Sequence, residues 1–397
     1  MKSKLLLKTT VLLVTFASMA DMVVIPAVGG IFASFPDASP FLMGLFLTGP
    51  LLLCVIGSVL CGFLAQYISK KYLLIGAYVL FIIASCGGAL IDNIYYIVAM
   101  RLLVGLSYGL SMTLGMGIIA EVFLDEKERS FMMGANSSAA SALGIAMSLL
   151  GGYLAVGNWH HSYYVYLAAI PILIMIIAFV PKTPPEGKKA SDVAASGKER
   201  LPIAKMLPVV VSYLIFNALY YIALYYIAIY LEEVKLGDAS TAGIMSSLST
   251  IGSLCAGILF SIVYMRVKRG TPIIAFLVMA GTFIVLAFPS NIWVIGIMCF
   301  MGGLAYNFGS SYYFMHTSMI APPGVMSLAM GIITATMGIG GFLSSYALSL
   351  YQAVLKVNTM TPTFLYIGIT LAIGGLLSIL LTIKSKKNPV SVGNTNA

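Results

Sequence analysis

Long apolar runs leave this chain almost nothing to show to water. Short polar gaps separate the runs from Leu5 to Thr382, and 60% of the residues are hydrophobic against 9% charged. A run of ~20 apolar residues crosses a bilayer as a helix, because only a helix satisfies its own backbone groups in hydrocarbon. Twelve spans are expected. The first six lie at roughly 9–33, 41–65, 72–91, 95–119, 131–155 and 163–181. The second six lie at roughly 206–231, 240–264, 271–289, 291–315, 326–351 and 362–384.

Basic residues set the orientation of such a chain. Nineteen of the 22 Lys and Arg fall at the two ends or in every second gap, from Lys2, Lys4 and Lys8 to Lys384, Lys386 and Lys387. An even number of spans with both termini cytoplasmic fits this pattern. Lys2 to Ala20 also reads as a signal peptide with a passable cleavage site at Ser18-Met19-Ala20. Cleavage would leave an odd span count and spoil the alternation, so an uncleaved first span is expected. The net charge of +9 is then the inside-positive bias facing anionic lipid, not a nucleic-acid footprint. Cys54, Cys61, Cys86, Cys255 and Cys299 lie in apolar runs without ligand spacing, so packing is their expected role; no metal site is indicated.

The longest gap, 182–205, is rich in Pro, Lys, Ala, Ser and Gly and reads as a flexible cytoplasmic linker. It divides the chain into 1–181 and 206–397, and these halves echo each other. Gly105-Leu106-Ser107-Tyr108 in span 4 matches Gly303-Leu304-Ala305-Tyr306 in span 10. Gly62-Phe63-Leu64 matches Gly257-Ile258-Leu259. The offsets are 198 and 195 residues, so the order of elements is kept and duplication is expected. The expected fold is an all-α membrane protein, with 12 transmembrane helices forming two six-helix pseudo-repeated bundles around a central cavity. That is a transporter architecture.

At this point the chain resembles the major facilitator superfamily over essentially its whole length. Between spans 2 and 3, Gly62, Leu64, Ala65, Lys70 and Lys71 fit the family signature. Gln66 stands where the family usually has an acid, and Ser69 where it has Gly. Arg101, Gly105 and Gly109 fit the span-4 signature. Glu121 and Arg129 match the acid and base flanking the next cytoplasmic turn. The resemblance implies a cytoplasmic latch made by Gly62, Gln66, Lys70, Glu121 and Arg129. Asp21-Met22-Val23-Val24-Ile25-Pro26-Ala27 resembles the span-1 motif of drug/proton antiporters. The antiporter motif of span 5 fits poorly: at Ala140 to Ile145 its Pro is missing, and Gly151-Gly152 comes too late.

Charge inside a bilayer is expensive and defaults to function. Rising 1.5 Å per residue, span 1 puts Asp21 ~20 Å in from its cytoplasmic end, and span 4 puts Arg101 ~10 Å in from its outer end. In a ~30 Å core these depths coincide, and an Arg fork suits a carboxylate. Asp21 and Arg101 are the expected proton-coupling pair; the alternatives are a static ion pair that fixes packing, or an Arg101 that only caps backbone or binds lipid headgroups. Tyrosines follow. Asn217, Tyr220, Tyr221 and Tyr225 recur at helical spacing on span 7, as do Tyr306, Asn307, Ser310 and Tyr313 on span 10. A polar stripe on a span faces protein or a water-filled cavity. Asn217, Tyr220, Tyr306, Asn307, Ser310 and Tyr313 are the expected substrate-cavity residues. Tyr225, Tyr226 and Tyr230 fit an interfacial aromatic belt better.

No metalloprotease, hydrolase or phosphate-loop motif occurs, so no enzyme, no cofactor and no ATP-driven pump is expected. No filter-like segment suggests a channel. The expected function is secondary active transport: proton-coupled export of small amphipathic or drug-like compounds by alternating access. The alternative is a proton symporter or uniporter importing a small metabolite. The expected partners are a small-molecule substrate, protons and the lipid bilayer. A monomer is expected, multi-pass in the cell membrane, bacterial inner or plasma.

Overall fold

The structure is a computed structural model and describes residues 2–187, 200–237, 239–288, 291–357 and 359–387. Among these residues, nine helices are long and apolar enough to cross a membrane. A bent pair, Lys4–Met19 with Asp21–Ser34, makes a tenth, and the shorter apolar helices Thr271–Leu286 and Met360–Leu376 complete twelve. The span numbers of the sequence carry over directly. Several helices run beyond the expected bounds, such as Ile94–Val122 for span 4 and Ile203–Glu233 for span 7. A helix need not stop where hydrocarbon does. Asn93 and Asp125 cap spans 4 and 5 by accepting from the Tyr95 and Glu128 amides at 2.9 and 2.8 Å, satisfying donors the helix cannot.

Packing follows the repeat. Span 2 lies on span 4, as span 8 lies on span 10; span 3 lies on span 6, as span 9 lies on span 12; span 1 lies on span 5, as span 7 lies on span 11. The matched glycines explain the first pairing. A Cβ at Gly105 would collide with the Pro50 backbone of span 2, and one at Gly303 with the Ser249 backbone of span 8. Without side chains there, two backbones approach closely, which is how helices gain contact where lipid is as apolar as they are. The result is two six-helix bundles related by the repeat.

Span 1 departs from the continuous helix expected over 9–33. Its α-helical pieces are Lys2–Leu13, Asp21–Val24 and Val28–Ser34, joined by 3₁₀ turns at Val14–Met19 and Ile25–Ala27, with a bend of 48°. Pro26 lacks an amide and breaks the second junction. The altered ladder calls on neighbours, because a carbonyl in hydrocarbon needs a partner. Tyr78 of span 3 donates to the carbonyls of Leu13 and Val14 at 3.2 and 2.9 Å, and Tyr166 of span 6 donates to that of Ala20 at 2.8 Å.

The two halves are joined at the end that carries Lys70 and Lys127, the basic end. Spans 5, 8 and 10 meet through hydroxyls: Ser130 with Ser261 at 2.9 Å, Ser137 with Ser311 at 3.0 Å, and Ser138 donating to the Leu254 carbonyl at 2.7 Å. Opposite them, spans 2 and 11 meet at Gly62, where a Cβ would sit 2.6 Å from the Leu328 Cα. All five latch residues expected from the resemblance lie at this end. Gln66 donates to the Gly324 carbonyl at 3.0 Å, Lys70 pairs with Glu121 at 3.0 Å, and Arg129 donates to the carbonyls of Phe123 and Ser318 at 2.9 and 3.4 Å.

The start of the linker corrects the expectation of a uniformly flexible segment. Glu186 is 1% exposed, pairs with Lys70 at 2.7 Å and accepts from the Ser327 amide at 2.9 Å. Its own amide donates to the Ala65 carbonyl at 3.0 Å, and that of Gly187 to the Gln66 carbonyl at 3.2 Å. Glu186 thus sets a carboxylate at the start of span 11, beside Gln66, where the family signature usually supplies an acid. The rest of the gap up to residue 199 lies outside the described residues. Replacing Glu186 by Gln removes one of two carboxylates from buried Lys70 and weakens the bond to Ser327. Charge-assisted hydrogen bonds of this kind contribute ~1.5–3 kcal/mol. We expect Glu186→Gln to shift the halves toward separation at the basic end. Spin labels at the exposed positions Tyr67 and Met319 read this as a longer distance population; an unchanged distribution contradicts the strapping role.

Candidate functional site

The break in span 1 puts Asp21 at the head of a new helical piece, turned inward between the bundles. Arg101, a little under two turns into span 4 from Ile94, meets it: Nη2 lies 2.7 Å from Oδ1. The shared depth inferred from the sequence is thus realised as a contact. The two partners are not equally buried. The side chain of Arg101 is 4% exposed and that of Asp21 is 29% exposed. Phe46 of span 2 places its ring 5.1 Å from the guanidinium carbon, a cation–π contact. One face of the pair is therefore sealed inside the N-terminal bundle, and the carboxylate edge is reachable from the space between the bundles.

Across that space stands a wall of tyrosines from spans 7 and 10. Three polar rungs stitch these antiparallel helices together: Ser212 with Tyr313, Tyr213 with Ser310 at 2.8 Å, and Asn217 accepting from Tyr306 at 3.1 Å. Asn217 turns its amide group back to the Tyr213 carbonyl at 2.7 Å. Tyr220 and Tyr306 stack with ring centroids 3.9 Å apart, and the Tyr221 hydroxyl lies 3.4 Å from that of Tyr306. Tyr225 stacks on Tyr221 at 5.3 Å and is 48% exposed.

These positions sort the expected cavity residues. Tyr306 is half-buried, while Asn217, Tyr213, Ser310 and Tyr313 are buried beside it as its scaffold. Tyr220 lies between Tyr306 and a small pocket of about 30 Å³ among the helices of the C-terminal bundle, lined also by Met245, Ser249, Thr282 and Phe283. Asn307 does not join the group. It donates to the Ser253 carbonyl at 2.7 Å and ties span 10 to span 8. The belt assignment fails for Tyr230. Tyr230 is fully buried and donates to the Leu286 carbonyl at 2.7 Å; Tyr225 interacts electrostatically with Asp21.

Tyr108 is the residue that the sequence reading passed over. It is the repeat counterpart of Tyr306, and it interacts electrostatically with Asp21, Tyr213 and Tyr221. The signal was present in the matched four-residue segments, read there as a sign of duplication only. The resulting space has one ion pair on one side and neutral rings with hydroxyl tips on the other. Such a surface stacks on apolar faces and exchanges hydrogen bonds with hydroxyls.

Comparison with known proteins places this architecture. Relatives include the metabolite transport protein YwtG of Bacillus subtilis (strain 168), 30% identical over 149 residues, 36% of this chain and 32% of that protein. The arabinose-proton symporter of Escherichia coli (strain K12) is 25% identical over 134 residues, 32% of this chain and 27% of that protein. The matches thus span about a third or less of these relatives. Among solved structures, the human organic anion transporter MFSD10 (TETRAN) superposes with a TM-score of 0.80 at 14% identity, covering 94% of this chain and 99% of that one. The proton:xylose symporter XylE gives 0.72 at 16% identity, covering 96% and 95%. At such identities the likeness shows the fold alone. A family model of the Major Facilitator Superfamily matches residues 10–345, and the chain belongs to that superfamily.

Proposed function

We propose that the chain is a proton-coupled symporter that imports a small, uncharged, hydroxyl-bearing metabolite by alternating access. The observation that carries this is the Asp21–Arg101 pair, half-open to a wall of tyrosines that holds no charge. In this reading 1–181 and 206–397 are the rocking domains and 182–205 connects them. The basic end is cytoplasmic and its closure marks an outward-facing state. Asp21 takes the proton and Arg101 controls when it is released. Tyr306, backed by Tyr220, Asn217, Ser310 and Tyr313, receives the substrate, and Gly62, Gln66, Lys70, Glu121 and Arg129 latch the closed end.

Import ranks ahead of the drug export expected from span 1, because the arabinose relative is by name a proton symporter. Export remains the second reading, favoured by the Asp21 to Ala27 motif. Purified protein in liposomes under an imposed pH gradient decides, with L-arabinose, D-xylose and cationic dyes as probes. Uptake down the proton gradient supports symport; expulsion of a dye against it supports export.

Asp21→Asn is expected to abolish gradient-driven accumulation while downhill exchange persists. Accumulation that survives with an unchanged pH profile places the proton elsewhere. Tyr306→Ala is expected to change substrate preference more than expression, read as the ratio of uptake rates across the probe panel. Tags at Lys189 and at the C-terminus are expected to be reachable only from the cytoplasm, and tags at Asp238 only from outside. These positions lie outside the described residues, so antibody access to sealed and opened cells is the check; a cytoplasmic Asp238 overturns the orientation.

A further inference from the structure

Arg101 is incompletely used. Only Nη2 is bonded; Nε and Nη1 are buried and bond to nothing among the described residues. The Tyr163 hydroxyl on span 6 is in the same condition. Arg101 is 3% exposed and Tyr163 is 4% exposed, and the two interact electrostatically. Unmet donors on one side and an unmet acceptor on the other, in one buried region, are a costly coincidence. Each such group pays its desolvation cost without a partner to offset it.

The coincidence has a use if Asp21 is protonated. A buried guanidinium whose carboxylate has been neutralised is an uncompensated charge, which is strongly disfavoured. We propose that Tyr163 is the second station of Arg101: when Asp21 binds its proton, the guanidinium turns to the Tyr163 hydroxyl oxygen and the Phe46 ring. Tyr163 is thus a positioning residue for the proton switch, acting through Arg101, and this rests on the coupling role given to Asp21 above. Tyr166, its neighbour at 5.7 Å, also interacts with Arg101, but its hydroxyl donates to the Ala20 carbonyl and is anchored to span 1, whereas the Tyr163 hydroxyl has no partner among the described residues and is free to turn. The other ionisable groups that interact with the pair or with Tyr166 are thiols and phenols: Cys54 on span 2, Cys86 on span 3, Tyr108 on span 4 and Tyr225 on span 7. No second carboxylate or amine is found against it among the described residues, so the switch has two stations.

The sign follows. A hydroxyl that accepts from Arg101 only when Asp21 is protonated favours protonation, so removing it makes Asp21 harder to protonate. The test is an infrared pH titration of the purified protein, following the protonated-carboxyl band that Asp21→Asn abolishes. In Tyr163→Phe, which keeps the ring, we expect the midpoint to fall by about one pH unit, a tenfold loss of proton affinity. In the wild type the tyrosine C–O band shifts together with the carboxyl band; Tyr163→Phe loses that shift, and Asp21→Asn abolishes it. An unchanged midpoint in Tyr163→Phe, or a tyrosine shift that persists in it, overturns the second station. If Tyr163→Phe does not fold, the tyrosine band of the wild type decides alone: a carboxyl band that titrates with no tyrosine shift overturns the proposal. If no carboxyl band is lost in Asp21→Asn, the coupling role of Asp21 fails instead, and the two failures are distinct.

Discussion

A bilayer gives a charge nowhere to go. Asp21 and Arg101 lie deep in the helical bundle, and their 2.7 Å contact is the condition on which the arrangement around them rests. Span 1 breaks where Asp21 must turn inward. Spans 3 and 6 supply tyrosine hydroxyls to carbonyls along the broken stretch. Span 2 offers an aromatic face to the cation. A bundle that carried no ion pair would need none of these devices, because an unbroken apolar helix satisfies itself.

The same economy governs the joint between the halves. Hydroxyl pairs and glycine contacts hold the basic end on two sides, with the buried Lys70–Glu186–Ser327 chain between the linker and span 11. Hydroxyl–hydroxyl bonds are exchanged for bonds to water at little net cost, since a typical intramolecular hydrogen bond contributes only ~0.5–1.5 kcal/mol. A joint made this way can close firmly through many contacts and still open. The charged chain through Glu186 is the part with directional strength, and it depends on a residue that belongs to neither bundle.

The sequence made the fold legible because hydrocarbon imposes one pattern, and twelve runs with alternating basic gaps leave little choice. The pairing of Asp21 with Arg101 was legible for the same reason, from depth alone. What stayed hidden depended on contacts between distant segments. Nothing in the local pattern of Pro-Pro-Glu-Gly at 184–187 announces that Glu186 is buried against Lys70. Asn217 and Asn307 look alike as polar residues in apolar helices, yet one supports Tyr306 while the other ties span 10 to span 8. Helical spacing tells which residues share a face, but not which of two facing helices that face meets. Tyr230 fits a belt by its depth near the interface, yet it is buried and donates to the Leu286 carbonyl. The break in span 1 could have been suspected from Pro26 alone.

The central claim is that the Asp21 carboxyl changes its protonation state as the halves move. Infrared difference spectra between protein locked outward by a disulfide across the basic end and protein locked inward by one across the opposite end, at a fixed pH, measure this directly. The account requires a protonated-carboxyl band that differs between the two locked states and is absent from both in Asp21→Asn. Identical carboxyl bands in the two states would contradict it and leave Asp21 and Arg101 as a structural ion pair.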